Sequence, residues 1–124
     1  VIDAAMEAKN KGAFVVAITN MEYSQRVKSR HSSGKRLFEV ADLVIDNCGD
    51  FEDAAIEIKG FDQKIGATST IAGAAIANAI VVETSNILYS KGIEPPIFHS
   101  ANVDGGDEFN KKMMEKYEDR IYYL

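Results

Sequence analysis

The sequence of residues 13–18 is AFVVAI, an unbroken apolar run that leads into the polar pair Thr19 and Asn20. Strands that are buried on both faces carry continuous rather than alternating apolar residues, and they belong to parallel sheets covered by helices. Residues 43–45, within ADLVIDN, form a second run of this kind. The two runs predict an α/β fold with a parallel sheet and right-handed crossovers.

Helical patterns alternate with these predicted strands. Ile2, Ala5 and Met6 share one face of a first helix that ends at Gly12, a suitable residue just past a helix C-terminus. Residues 54–58 predict a third, weaker strand. The remaining predicted elements are a short helix at 34–40, a long helix at about 71–89, a brief terminal strand or extended anchor at 97–98, and an amphipathic helix at 108–120.

The composition favours a small-molecule partner. The chain has 124 residues, 46% hydrophobic and 27% charged, which suits a single domain spanning residues 1–124. The net charge of -5 argues against nucleic acid or an anionic membrane as the main partner, because both require clustered Lys and Arg. An anionic ligand is still compatible with this charge, since helix N-termini and backbone amides bind phosphate.

The most apolar stretch is residues 71–82, which contains Asn78 and is followed by Glu83. It is shorter than the ~20 apolar residues of a membrane span, so we predict a buried core helix. The single cysteine, Cys48, excludes an internal disulfide and fits a reducing compartment. We predict a structural role for Cys48 and a cytoplasmic location for the protein.

Motifs for metals and nucleotide cofactors are missing from the sequence. It has no Cys pair, and His31 and His99 lack the spacing of helical metal ligands. The glycine-rich phosphate loops and the G-x-S-x-G nucleophile motif do not occur either. We therefore predict neither a metal nor a cofactor.

The chain begins at Val1, inside a helical pattern and without an N-cap residue before it. We expect further sequence upstream, with a strand and a loop that lead into this helix.

The first candidate site is the loop at 19–35, TNMEYSQRVKSRHSSGK. Its beginning follows a predicted strand, where the ligands of open parallel sheets bind. Thr19 and Asn20 come directly after that strand, and Ser24 is a candidate helix cap.

The end of the same loop combines hydroxyl and basic side chains. His31, Ser33 and Lys35, together with Arg30, suit an anion site. The alternative is a solvated loop in which Ser32 or Ser33 only caps the next helix.

The second candidate site is the hydroxyl-rich start of the long helix, residues 66–70. Ser69 and Thr70 place hydroxyls and free backbone N–H groups at a positive helix end, which suits phosphate. Ordinary N-capping by Ser and Thr explains the same residues equally well.

The third candidate site is residues 98–110, FHSANVDGGDEFN. Ser100 and Asn102, with Asn110, could bind sugar hydroxyls, or they could stabilise the turn around the Gly-Gly pair. His99 is a candidate proton shuttle, with a structural histidine as the alternative. Asp107 is the expected N-cap of the last helix.

Four strings in this order resemble one family. They are IDAAMEAKNKGAFVVAITN, SRHSSGKRLFEVADLVIDN, GATSTIAGAAIANAIVVE and PPIFHSANVDGGDEFN. Together they are similar to the C-terminal portion of sugar isomerase (SIS) domain proteins, specifically stand-alone bacterial ones related to phosphoheptose isomerases. The resemblance covers nearly the whole chain.

The resemblance implies a three-layer α/β/α sandwich, flavodoxin-like or Rossmann-like, with a five-stranded parallel sheet. The ligand would be a phosphosugar, bound here by Thr19, Asn20, Ser24, Ser69 and Thr70. The family's main phosphate loop follows a strand that would precede Val1 and is not in this sequence. SIS proteins are usually at least dimers, which suits the Ala- and Gly-rich long helix; we expect a dimer or tetramer.

Two functions follow from the resemblance. The first is an aldose–ketose phosphosugar isomerase without a cofactor, for which Glu83 and His99 are nominal acid–base candidates. The second is a module that senses a phosphosugar without turnover. A flavodoxin-like domain unrelated to sugars is the third option, and the extent of the resemblance argues against it.

Overall fold

A computed structural model describes residues 1–120. The chain divides into two compact units, Val1–Val81 and a second that begins at Val82. The elements in chain order are α1 (Ile2–Asn10), β1 (Val16–Thr19), α2 (Met21–Arg26), α3 (Leu37–Val40), β2 (Leu43–Asp46), β3 (Ala54–Ile56), β4 (Ile65–Ala67), α4 (Ser69–Ser90) and α5 (Gly106–Tyr117), with a final 3-10 turn at Glu118–Arg120.

The α/β class and the parallel pairing of the two apolar runs are confirmed. β1 pairs with β2 in parallel, from Val16 opposite Leu43 to Thr19 opposite Asp46. β1 begins later than expected and includes Thr19. The carboxyl ends of both strands therefore lie side by side, and this edge positions the candidate site.

The predicted third strand does not join this sheet. Ala54–Ile56 pairs in antiparallel fashion with Ile65–Ala67 to form a separate hairpin. Residues 57–64 are too short for the crossover connection that two parallel strands require, so β4 runs antiparallel to β3. Residues 97–98 form no strand in the described part of the chain.

Small apolar residues form the core of the first unit. α1 packs on α3, and α3 packs on β1, with Ala5, Ala17 and Val40 buried. Asp42 reinforces this packing, because its carboxylate lies 2.6 Å from Lys9 Nζ and accepts the N–H of Val15 at 2.9 Å. Those two hydrogen bonds, the one from Lys9 first, hold the pKa of Asp42 below its ordinary value.

The helix ends agree only partly with the prediction. α1 ends as expected, with Gly12 just beyond it at a φ of 80°. α3 is shorter than predicted and follows Arg36, so neither Ser32 nor Ser33 caps it. The prediction of Asp107 as an N-cap was wrong. The cap position is Gly105, whose left-handed backbone turns the chain into α5 and leaves Asp107 in the first turn.

The long helix differs most from expectation. α4 was predicted to be a buried core helix, but none of its 22 residues is buried by the described part of the chain. Ile71, Val82 and Tyr89 are 76%, 67% and 75% exposed. The apolar surface of α4 is therefore left uncovered by the described part of the chain. By length and composition alone α4 could cross a membrane, but core helices of soluble proteins pass the same test.

Candidate functional site

A polar crevice lies at the carboxyl ends of β1 and β2. Its volume is about 260 Å³, and it is lined by Ile18, Thr19, Asn20, Tyr23, Ser24, Asn47, Asp53 and Ser69. Ligands of parallel sheets bind in this position, beyond the carboxyl edge of the strands. One larger cavity is formed by the hairpin loop at residues 57–64 alone, and another lies between that loop, Glu22 and residues 50–52.

Asn20 organises the entrance to the crevice. Its Oδ1 accepts the N–H of Tyr23 at 2.8 Å, which makes Asn20 the N-cap of α2. Its Nδ2 donates to the carbonyl oxygens of Gly49 and Asp50, so the same side chain also ties down the loop after β2. Asn20 thus connects the two loops that follow the parallel strands.

Thr19 and Ser24 present hydroxyls on one wall. Thr19 Oγ1 lies 2.9 Å from Ser24 Oγ. Ser24 lies inside α2 rather than at its start, so the prediction that it caps this helix was wrong. The pair can act as donor or acceptor, because either hydroxyl can rotate toward a ligand.

Asp46 connects the loop after β1 with the loop after β2. Its Oδ1 accepts the N–H groups of Met21 and Cys48, at 3.1 and 3.0 Å. These backbone hydrogen bonds, the one from Cys48 first, hold the pKa of Asp46 below its ordinary value. The loops after β1 and β2 are therefore held together by an ionised carboxylate at neutral pH.

Asp53 occupies the start of α4. Its carboxylate accepts the N–H of Ser69 at 2.6 Å and the hydroxyl of Ser69 at 2.8 Å, and Thr68 Oγ1 lies 3.2 Å away. The hydrogen bonds from Ser69 are the main reason that the pKa of Asp53 lies below its ordinary value. The donors that were expected to bind phosphate are thus engaged by a side chain of the protein itself.

Gly49 allows the loops to approach so closely. A Cβ at this position would lie 2.8 Å from Thr68 Oγ1 and 3.3 Å from Asn20 Nδ2. Any larger residue would push the loop after β2 away from the start of α4. The narrow crevice therefore depends on a glycine here.

The crevice unites four of the predicted site residues, and three further residues that line or shape it were missed. Thr19, Asn20, Ser24 and Ser69 all line it, whereas Thr70 lies one residue further into α4 and does not. The missed residues are Asn47, Gly49 and Asp53. Asn47 and Gly49 had a detectable signal, since they follow an apolar run at a strand end. Asp53 had none.

His31, Ser33 and Lys35 lie outside the crevice. His31 contacts Ser33 Oγ through Nδ1 at 2.7 Å and Asp3 Oδ1 through Nε2 at 2.8 Å. Lys35 lines a separate cavity of about 220 Å³ with residues of α1 and α3. The anion site predicted from these residues is therefore not part of the crevice.

Glu83, His99, Ser100 and Asn102 lie in the second unit. Glu83 is an exposed residue of α4. The ring of His99 stacks on Phe109 with centroids 3.9 Å apart.

The polar residues of this loop hold its own backbone. Asn110 bonds to the N–H and carbonyl of His99, at 2.8 and 2.9 Å. Ser100 Oγ accepts the N–H of Asn102 at 3.3 Å. This agrees with the alternative in which these polar residues stabilise the turn.

Similar proteins exist in several bacteria, and no family model matches the chain. A UPF0309 protein of Shouchella clausii is 51% identical over 123 residues, which is 99% of this chain and 50% of that protein. UPF0309 proteins of Oceanobacillus iheyensis and Thermoanaerobacter pseudethanolicus are 48% and 47% identical, over 50% and 51% of their own lengths. The chain spans about half the length of the curated relatives it matches, and their names state no substrate or reaction.

Proposed function

We propose that the chain is part of a phosphosugar-binding domain of the SIS type and that the crevice holds the sugar. The observation that carries this proposal is the convergence of Thr19, Ser24, Asn47 and Ser69 at the carboxyl edge of two parallel strands. The finer fold that we propose is a three-layer α/β/α sandwich, in which β1 and β2 are neighbours in a larger parallel sheet.

The lining of the crevice suits a polyhydroxylated ligand. Hydroxyls act as donors and acceptors, and the Asn47 amide supplies both groups as well. None of the eight lining residues is Lys, Arg or His. Neutral groups of this kind match the hydroxyls of a sugar, and the phosphate would compete with Asp53 for the donors of Ser69.

Binding without turnover is the version that the crevice favours. Isomerisation through an enediol requires a base whose pKa lies near neutrality. The carboxylate of the lining, Asp53, has a lowered pKa and is occupied by Ser69. A sensing module therefore accounts for these residues more simply than an isomerase, for which Glu83 and His99 of the second unit are our candidates.

The proposal has three further parts. We propose a cytoplasmic protein that contacts neither nucleic acid nor membrane through this segment, in keeping with its net charge of -5. We propose a homo-oligomer, supported by the uncovered apolar surface of α4. We propose that neither a metal nor a cofactor takes part.

The test is a thermal-shift panel of hexose, heptose and amino-sugar phosphates, set against the free sugars and inorganic phosphate. A ligand at 100 times its dissociation constant adds about 2.7 kcal/mol to the free energy of unfolding, which raises the melting temperature visibly. We expect at least one sugar phosphate, but not its free sugar, to do so. A panel without any shift would refute phosphosugar binding.

Two variants test whether the ligand that raises the melting temperature binds in the crevice. Thr19→Val and Ser24→Ala each remove one hydroxyl, and a lost neutral hydrogen bond should weaken binding by about tenfold. Thr84→Val makes the same substitution on the exposed surface of α4 and should bind like the wild type. Equal binding by all three variants would place the ligand elsewhere.

A further inference from the structure

Three polar side chains outside the crevice form a continuous hydrogen-bonded array of carboxylate, imidazole and hydroxyl. His31 Nε2 lies 2.8 Å from Asp3 Oδ1, and His31 Nδ1 lies 2.7 Å from Ser33 Oγ. An activated nucleophile has this signature: a hydroxyl within hydrogen-bond reach of a base that a third group orients. We call these residues the Asp–His–Ser array.

The position of the proton on the His31 ring follows from a third contact. The backbone N–H of Ser33 points at Nδ1 of His31 from 3.2 Å. Because a donor faces Nδ1, this nitrogen is the unprotonated one, and Nε2 carries the proton that it donates to Asp3. The lone pair of Nδ1 therefore accepts from the Ser33 hydroxyl, at the shorter distance, as well as from the Ser33 N–H, and the contact with the hydroxyl is the one that a general base requires. The pKa of Asp3 is lowered chiefly by its hydrogen bond with His31, which keeps the carboxylate ionised.

The array is held in place and is open to reactants. The N–H of Gly34 donates to the carbonyl of His31 at 2.9 Å, and this turn keeps His31 and Ser33 together. The His31 side chain is only 18% exposed, whereas Ser33 is exposed. The space beside the adjacent Gly34 is open as well, since a Cβ added there would meet no atom within 4 Å outside its chain neighbours.

We propose that Ser33 is a nucleophile that accepts an acyl group from activated esters, with His31 as its general base and Asp3 as the residue that positions His31. This activity is separate from sugar binding in the crevice and does not depend on it. Activated esters are the substrate class because their leaving group departs as a stable anion, so an exposed hydroxyl can react with them.

The reaction proceeds in two balanced halves. Ser33 Oγ forms a bond to the ester carbonyl carbon while its proton passes to His31 Nδ1, and the bond to the leaving oxygen breaks with its electron pair on that oxygen. The imidazolium then gives its proton to the departed oxygen or to water. In the second half His31 removes a proton from water, the hydroxide attacks the acyl carbon, and Ser33 Oγ leaves and takes the proton back.

The experiment uses p-nitrophenyl acetate with the intact chain. We expect a burst of one nitrophenolate per chain, and an acetyl group on the peptide that contains Ser33. Ser33→Ala should abolish the burst. His31→Gln should slow acylation by about 100-fold, within the range of general-base catalysis, and Asp3→Asn should slow it less.

The matched control is Ser32→Ala, which removes the neighbouring exposed hydroxyl and should react at the wild-type rate. Absence of the acetyl group from Ser33 would overturn the proposal, as would an unchanged rate in His31→Gln. The position of the acetyl group in the wild-type chain decides the matter even if a variant fails to fold.

Discussion

Among the described carboxyl groups, Glu39 has the pKa that the fold lowers most. Its carboxylate accepts the N–H of Arg36 at 2.7 Å and pairs with the Arg36 guanidinium at 2.8 and 3.0 Å. The side-chain hydrogen bond from Arg36 is the main cause that lowers the pKa of Glu39 from 4.5 to about 2. The ionised form of Glu39 is therefore favoured in the folded state at the start of α3.

This pair predicts how stability depends on pH. Because the folded pKa is below the unfolded one, the stabilisation is complete above pH 4.5 and is lost as the pH falls toward 2. Glu39→Gln should lower the melting temperature at pH 7 and flatten its decline in acid, so that the two curves converge near pH 2.

The measurement is the melting temperature between pH 7 and pH 2.5. Glu115→Gln is the control, since no described residue forms an ion pair with Glu115. Parallel curves for wild type and Glu39→Gln would contradict the prediction.

Individual site residues differed in how well the sequence could predict them. Thr19 and Asn20 were predictable, because residues after a buried strand lie at the carboxyl edge of a parallel sheet. Asp53 was not, because its role depends on a left-handed backbone, with a φ of 72°, that turns its carboxylate onto a helix sixteen residues further along. A pattern of residue types contains no information about such a contact.

At the scale of elements, the start of α4 links helix capping to ligand binding. Asp53 caps the helix and also places a negative charge beside the donors that a phosphate would use. Asp53→Asn should retain the backbone conformation, since Asn tolerates a positive φ, but it removes the charge. We expect a melting temperature lower by a few degrees and a phosphate affinity higher by about tenfold.

Titration calorimetry with inorganic phosphate and with the best ligand of the panel checks this expectation. Asp50→Asn, in the same loop but outside the lining, is the control and should leave both quantities unchanged. If Asp53→Asn binds phosphate no better than wild type, Asp53 does not compete with the anion.

Two glycines in helices should respond in opposite ways to alanine. A Cβ at Gly106 would collide with the carbonyl oxygen of Ser100, so Gly106→Ala should lower the free energy of unfolding by about 2 kcal/mol. A Cβ at Gly73, inside α4, would meet no atom within 4 Å, so Gly73→Ala should raise it by about 0.5–1 kcal/mol. Urea unfolding of both variants gives these values, and changes of the same sign would contradict the packing described.

Element types were more predictable than element partners. The strand at residues 43–45 and the helix at residues 71–89 were both correct as local structure, but the burial expected of the strand was wrong, since Leu43 is 49% exposed and Val44 and Ile45 are only half-buried. The pairing of Ala54–Ile56 was not, because periodicity predicts a strand but does not specify which strand lies beside it. For the same reason the apolar composition of α4 could not show whether the rest of the chain covers it.

At the scale of the whole molecule, the uncovered surface of α4 predicts self-association. Exposed apolar residues such as Ile71, Val82 and Tyr89 favour burial against another surface. Val82→Glu should therefore shift the protein toward the mass of one chain in size-exclusion chromatography with light scattering. Thr84→Glu adds the same charge two residues away, on another side of the helix, and should keep the wild-type mass.

A wild-type protein that is already monomeric at high micromolar concentration would refute the proposed homo-oligomer. It would leave the proposal of sugar binding in the crevice standing, because the two proposals rest on different residues.

The loop that follows β2 also provides a reporter group. Cys48 is the only thiol in the sequence, it is exposed, and it lies next to Asn47 at the rim of the crevice. A maleimide dye would therefore attach at a single known position, without any prior mutagenesis. Its fluorescence should respond to ligands that enter beside Asn47, which would allow screening of sugar libraries by optical titration in microplates.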